Sequence, residues 1–159
     1  MKAATVHELK EELKHQSAAQ LLELCSRLAR FKKENKELLT YLLFEAQDEQ
    51  AYIESVKQEV QDLFGTINFS HLYFAKKTLR KILRVINKHS RYSGNKQSDM
   101  ELRIFFCQQL KESGIPIRRN AVINNIYAGQ IKKINAALAT LHEDLQHDYS
   151  KDIAGLELK

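Results

Sequence analysis

Lys76, Lys77, Arg80, Lys81, Arg84, Lys88 and Arg91 lie within a stretch, Leu63 to Ser98, that contains no Asp or Glu. At helical spacing these seven cations form one continuous positive face, with Tyr73 on the same arc. Such a row can meet nucleic-acid phosphates, each contact releasing a condensed counterion. It can equally attract the carboxylates of an acidic protein surface. Tyr73, and Tyr92 just past the predicted helix, are side chains on which a base could stack. The plainer alternative is a solvated helix face, or one neutralised by Glu49, Glu54, Glu59 and Asp62 of the same chain. Arg118, Arg119, Lys132 and Lys133 would extend the patch if the last helix packs beside it.

A second cluster is His142-Glu143-Asp144-Leu145-Gln146-His147-Asp148. Glu143 and His147, four apart, share a helix face, and Asp144 is three residues from His147. Such a pair can hold a divalent metal only with further ligands. HExxH is absent, as is the ExxH pairing of di-iron bundles. No nucleophile elbow, P-loop, Rossmann fingerprint or kinase signature occurs. The sequence therefore points away from an enzyme, and to no cofactor and no metal.

Charge is unevenly placed. Residues 1–62 carry nine Lys/Arg and twelve Asp/Glu, whereas residues 63–159 carry sixteen and eight. A basic half of this kind suits an acidic partner or a polyanion and says nothing of fold. The two cysteines, Cys25 and Cys107, stand in no CxxC pair. They read as small core residues of a reduced, cytoplasmic protein. The N-terminus turns charged at once and shows no signal-peptide core. The longest apolar run, Leu38 to Phe44, is far too short for a membrane span.

These side chains must be positioned by helices. One Pro and five Gly argue against an all-β fold, and the apolar residues recur every three or four positions. Thr5-x-x-Glu8, Ser17-x-x-Gln20 and Ser98-x-x-Glu101 read as capping boxes. The second opens a helix expected to turn Leu21, Leu24, Cys25 and Leu28 inward. Glu37 to Ala46 reads as a helix buried on most sides. A helix over Asp48–Phe64 uses Tyr52, Ile53, Val56, Val60 and Leu63, with Gly65 as its stop. The stripe helix, Ser70 to Lys88, places Leu72, Ala75, Leu79, Ile82, Leu83 and Ile86 within one arc. A long last helix is expected from Asn120 to His147. Gly129 inside it suggests a close helix–helix approach that offsets its cost of about 1 kcal/mol.

Thr5-Val6-His7-Glu8-Leu9-Lys10-Glu11-Glu12-Leu13 resembles the opening helix of SAP domains, a family whose members bind DNA. The likeness covers barely a tenth of the chain. The glycine-bearing extended loop and basic second helix of that family are missing, and Ser17-Ala18-Ala19-Gln20 stands in their place. As a whole the chain resembles small all-helical bacterial proteins of unknown function, a resemblance that implies no site residues.

The expected fold is thus all-α: a single-domain antiparallel bundle of six or seven helices over residues 1–149, with 150–159 a disordered tail. A short right-handed stack of helical hairpins is the alternative. The expected function is binding without catalytic chemistry. Its partner is an acidic protein surface or a second copy, engaged through Lys76, Lys77, Arg80, Lys81, Arg84, Lys88, Arg91 and Tyr73. Nucleic acid on the same stripe is the alternative.

Overall fold

A computed structural model describes residues 1–68 and 70–158. Its elements are α1 (Val6–Lys14), α2 (Ala18–Phe31), α3 (Lys33–Thr40), a π-helical segment (Tyr41–Glu45), α4 (Glu49–Gly65), α5 (Leu72–Ser93), α6 (Lys96–Glu112), α7 (Ala121–Leu138) and α8 (Glu143–Ala154). The fold is all-helical, with no strand among the described residues. The chain divides into two compact units, Met1–Phe44 and Glu45–Lys159.

In the first unit both early capping boxes form. Thr5 Oγ1 accepts from the Glu8 amide at 3.3 Å, and the Glu8 carboxylate accepts from the Thr5 amide at 2.7 Å. The Thr5 amide, and after it the Thr5 hydroxyl, donate to the Glu8 carboxylate and hold it below its usual range. Ser17 and Gln20 repeat the arrangement at the start of α2. The burial pattern is the reverse of the expected one. Leu21, Leu24, Cys25 and Leu28 are exposed. The half-buried residues of α2 are Ser26 and Ala29, and the helix packs on α3. Small side chains at that contact let the two backbones approach, and Asn35 Nδ2 donates to the Leu28 carbonyl at 2.9 Å. The expected buried helix over 37–46 is also corrected. It breaks into the π-helical segment, Leu42, Leu43 and Phe44 are exposed, and Tyr41 alone is buried among residues 1–44.

The second unit is built around α6, which packs against α4, α5 and α7. Met100, Leu102, Phe106, Cys107 and Leu110 are fully buried, while Gln97, Glu101, Gln108, Gln109 and Lys111 form a half-buried polar side. Against them lie Val56 and Val60 of α4, Leu79, Ile82 and Ile86 of α5, and Ile123 and Ile134 of α7. Phe64 and Phe106 rings meet at 5.5 Å, tilted by 50°.

One charge sits inside this core. Arg103 is buried, and its guanidinium spends its donors on three helices. Nε donates to Asp99 Oδ2 at 3.0 Å, Nη1 to Gln130 Oε1 at 2.6 Å and Nη2 to Asn87 Oδ1 at 3.0 Å. Asp99 Oδ1 lies 2.7 Å from Nη2. A buried guanidinium is costly unless it is paired and hydrogen-bonded, and this one has a carboxylate and two amide oxygens around it.

Helix ends explain several differences from the sequence reading. Asn95, not Ser98, caps α6, accepting from the Gln97 and Ser98 amides. Ser98 is instead buried, and its hydroxyl donates to Glu49 Oε1 at 2.5 Å. Gly65 lies inside α4, which closes at Thr66. The stripe helix runs on to Ser93 and ends at Gly94, whose φ of 65° is the left-handed cap that glycine favours. The expected single last helix is two. Amides of Thr140 and Leu141 turn back to the carbonyls of Ala137 and Leu138, and His142 caps α8. Gly129 marks no close approach, because a Cβ there would meet nothing within 4 Å.

Beyond residue 149, α8 continues to Ala154 and Leu156 is buried. Its carbonyl accepts from Tyr127 Oη at 2.5 Å. Lys111 Nζ donates to the carbonyls of Gly155 and Glu157 at 2.7 and 2.8 Å. On α8, Tyr149 donates to Glu101 and accepts from Gln97 Nε2 at 2.8 Å, joining α8 to α6. No described helix is long and apolar enough to cross a membrane.

Two predictions follow from these contacts. Asp99→Ala leaves the Arg103 charge without its carboxylate and should lower unfolding free energy by about 3 kcal/mol in urea titrations. Unchanged stability would mean that solvent reaches Arg103. Burial pushes the Tyr127 and Tyr149 hydroxyls up to about 12, with the Glu101 contact adding to the second. Their folded values exceed the unfolded value of about 10. The stability they contribute is therefore complete below that pH and is lost between it and about pH 12. Tyr127→Phe/Tyr149→Phe should flatten the alkaline limb of the melting temperature.

Candidate binding groove

Ala75, Leu79, Ile82 and Ile86 of α5 face the core, and the basic arc beside them is left on the surface. A groove of about 690 Å³ runs along that arc, lined by Tyr73, Lys76, Lys77, Arg80, Leu83, Arg84, Asn87 and Val122. From Tyr73 to Asn87 it follows α5 for about 21 Å. Leu83, expected in the core, is half-buried and forms part of the apolar floor with Val122 from the first turn of α7. Asn87, also on the lining, is the residue that accepts from Arg103, so the core network fixes one wall.

Among the described residues, Lys76, Lys77, Arg80, Lys81, Arg84 and Arg91 make no salt bridge. The acidic residues of α4 are engaged elsewhere. Glu49 accepts from Ser93 and Ser98, Glu54 meets Lys57 at 2.6 Å, and Glu59 lies 3.3 Å from His89. Acidity in the first part of the chain is also narrower than the halves suggest. Residues 1–44 carry eight Lys/Arg and six Asp/Glu, and residues 45–62 carry one and six.

Not every stripe residue joins the groove. Lys76, Lys77, Arg80, Arg84 and Tyr73 line it, whereas Lys81 and Lys88 lie outside its lining. Arg91 borders a separate cleft of about 340 Å³ at the start of α6, with Lys96 and Asn95. Tyr92 is within α5, half-buried, its ring edge-on to His89 at 5.9 Å. Arg118 and Arg119 belong to a cleft of about 390 Å³ near the C-terminal segment, where Arg118 donates to the Leu158 carbonyl. Neither they nor Lys132 and Lys133 line the groove. Sequence periodicity found the cations but not the floor, since Leu83 falls at the edge of the apolar arc and Val122 comes from another helix.

Glu143, Asp144 and His147 are exposed on α8. His142, rather than His147, approaches Asp144, at 3.3 Å. Among the described residues no three His, Cys, Asp or Glu side chains are grouped to hold a metal. The two thiols differ sharply. Cys25 is exposed, while Cys107 is buried and desolvation pushes it up to about 12.

No family model matches the chain, and no curated protein or solved structure is significantly similar to it.

With one thiol exposed and one sealed, a disulfide reagent near neutral pH should titrate one thiol per folded chain, at Cys25, and two after denaturation. Rapid reaction of both in the native protein would show that the α6 core opens readily.

Proposed function

We propose that this chain is a cytoplasmic binding protein without catalytic chemistry, which engages an acidic, partly apolar protein segment in the α5 groove. The observation that carries this reading is the lining: four unpaired cations, Lys76, Lys77, Arg80 and Arg84, around an apolar floor of Leu83 and Val122. A bare phosphate-binding row needs no such floor. An amphipathic acidic helix uses both parts, its apolar edge on Leu83 and Val122 and its carboxylates toward the cations. The groove length suits about four turns of such a helix. The free thiols of Cys25 and Cys107 support a reducing compartment.

One observation favours a second reading. Tyr73 is 72 % exposed on the groove rim, edge-on to Phe74 at 5.5 Å. An open aromatic beside unpaired cations is how single-stranded nucleic acid is held.

The two readings separate in one set of titrations. A fluorescent acidic amphipathic helical peptide and a labelled single-stranded RNA are titrated by anisotropy at several salt concentrations. Peptide binding should be lost in Lys77→Glu/Arg80→Glu/Arg84→Glu and weakened about tenfold in Leu83→Ala. Tyr73→Ala should leave it unchanged. RNA bound through the groove would instead show a log–log salt slope near −3, for four cations, and would depend on Tyr73 rather than Leu83. Peptide affinity that ignores the charge reversal overturns the proposal.

A further inference from the structure

Three cations share one cleft where α6 ends and the chain turns into α7. Lys111, Arg118 and Arg119 line this cleft of about 390 Å³, and its other walls are apolar, among them Ile115, Ile117 and Leu158. No acidic residue lines it, and among the described residues none of the three cations makes a salt bridge. Their donors are largely unspent. Lys111 uses two of its three N–H groups, on the carbonyls of Gly155 and Glu157. Arg118 uses one of its five, on the Leu158 carbonyl. The Arg119 guanidinium makes no hydrogen bond among the described residues. Like charges that share a cleft repel one another, and no carboxylate of the chain offsets them here.

A second cavity begins where this one ends. Arg118 and Leu158 also line a trough of about 810 Å³ between α7 and α8. Its apolar bed is Tyr127, Ala128 and Ile131 of α7 with Ile153 and Ala154 of α8. The α7 positions follow the spacing of one helix face, and from Asn124 to Asn135 the trough runs along α7 for about 17 Å. Protein interiors are close-packed, so a volume of this size between two helices is space that small side chains such as Ala128 and Ala154 leave open. The junction of the two cavities is held firmly. The carbonyls of Gly155, Leu156, Glu157 and Leu158 all accept from Lys111, Tyr127 or Arg118, and the buried Leu156 side chain pins the same segment.

We infer that the two cavities form one site for a single-chain amphiphile with a phosphoryl head. The head lies among Lys111, Arg118 and Arg119, and the chain lies in the α7–α8 trough. A phosphate monoester carries a charge of about −1.5 to −2, which answers three cations better than a single carboxylate does. The planar forks of two arginines also suit its oxygens. Glu157 sets the direction of the ligand. It lines the trough and not the cationic cleft, so an anionic head is repelled from the one and drawn to the other. Asn124, Asn135 and Ser150 add only uncharged polar groups to the trough. Each cavity falls in the range of about 300–1,000 Å³ usual for small-molecule sites. None of these residues lines the α5 groove, so the site is independent of the peptide reading.

The test is isothermal titration calorimetry of the full chain with decyl phosphate, kept below its critical micelle concentration. Inorganic phosphate, decanoate and the neutral decyl maltoside are titrated beside it. Decyl phosphate should bind once per chain in the micromolar range, and each of the other three at least about tenfold more weakly. Two variants separate head from chain. Arg119→Glu reverses a charge in the cleft and should weaken decyl phosphate at least about tenfold. Ala128→Phe fills the trough and should weaken decyl phosphate equally while leaving inorganic phosphate unchanged. Arg119 and Ala128 are both exposed, so both variants keep the helical circular dichroism of the wild type. The inference is overturned by a wild type that takes up no decyl phosphate, and by uptake of many molecules per chain that ignores both variants. Decanoate bound as tightly as decyl phosphate overturns the phosphoryl head. Decyl phosphate bound unchanged by Ala128→Phe overturns the trough.

Discussion

The second unit is organised by one buried cation. Arg103 stands near the middle of α6, the helix that packs against α4, α5 and α7, and it is held by groups from α5, α6 and α7 at once. An apolar core tolerates sliding and rotation of its helices at modest cost, because hydrophobic contact is non-directional. A planar guanidinium does not, since each donor has one direction and a buried donor left unpaired costs heavily. The network therefore fixes how α5 is rotated about its axis, and so which arc of that helix faces outward. The groove and its row of unpaired cations are a consequence of that rotation.

The same constraint explains how the two kinds of surface on α5 coexist. Ile82 and Ile86 are fully buried, while Arg80 and Arg84, two residues before each, remain open. α4 meets the acid-free helix at His89 and Ser93, while among the described residues the groove's Lys76, Lys77, Arg80 and Arg84 make no salt bridge. Charge therefore remains available at the surface although the chain supplies acidic residues nearby.

Much of the second unit is legible in the sequence, whereas in the first unit the helix starts are legible and the burial is not. The apolar arcs of α4 and α5 named most of their buried residues, although Leu63 and Leu83 are half-buried, Leu72 is exposed and Phe64 takes the inward place beside Leu63. The capping boxes at Thr5 and Ser17 were read correctly because both of their bonds are local. Ser98-x-x-Glu101 has the same pattern, yet Asn95 lies three residues earlier and Glu49 takes the serine hydroxyl. Local pattern cannot rank two caps when a distant residue decides between them. In α2 the leucine stripe was legible but its direction was not. An amphipathic pattern marks a face without saying which neighbour, if any, lies against it. Gly129 failed for a related reason, since a glycine that permits close approach does not require a neighbour. The groove floor was invisible because Val122 and Leu83 are ordinary apolar residues until α7 is set beside α5.

Asn87 belongs both to the groove wall and to the Arg103 network, which gives the site a thermodynamic link to the whole second unit. Any occupant that binds only the folded groove raises the free energy of unfolding by RT ln(1 + [L]/Kd). Every lining residue lies between Glu45 and Lys159, so that increment belongs to the cooperative block built on α6 and not to the helices of residues 1–44.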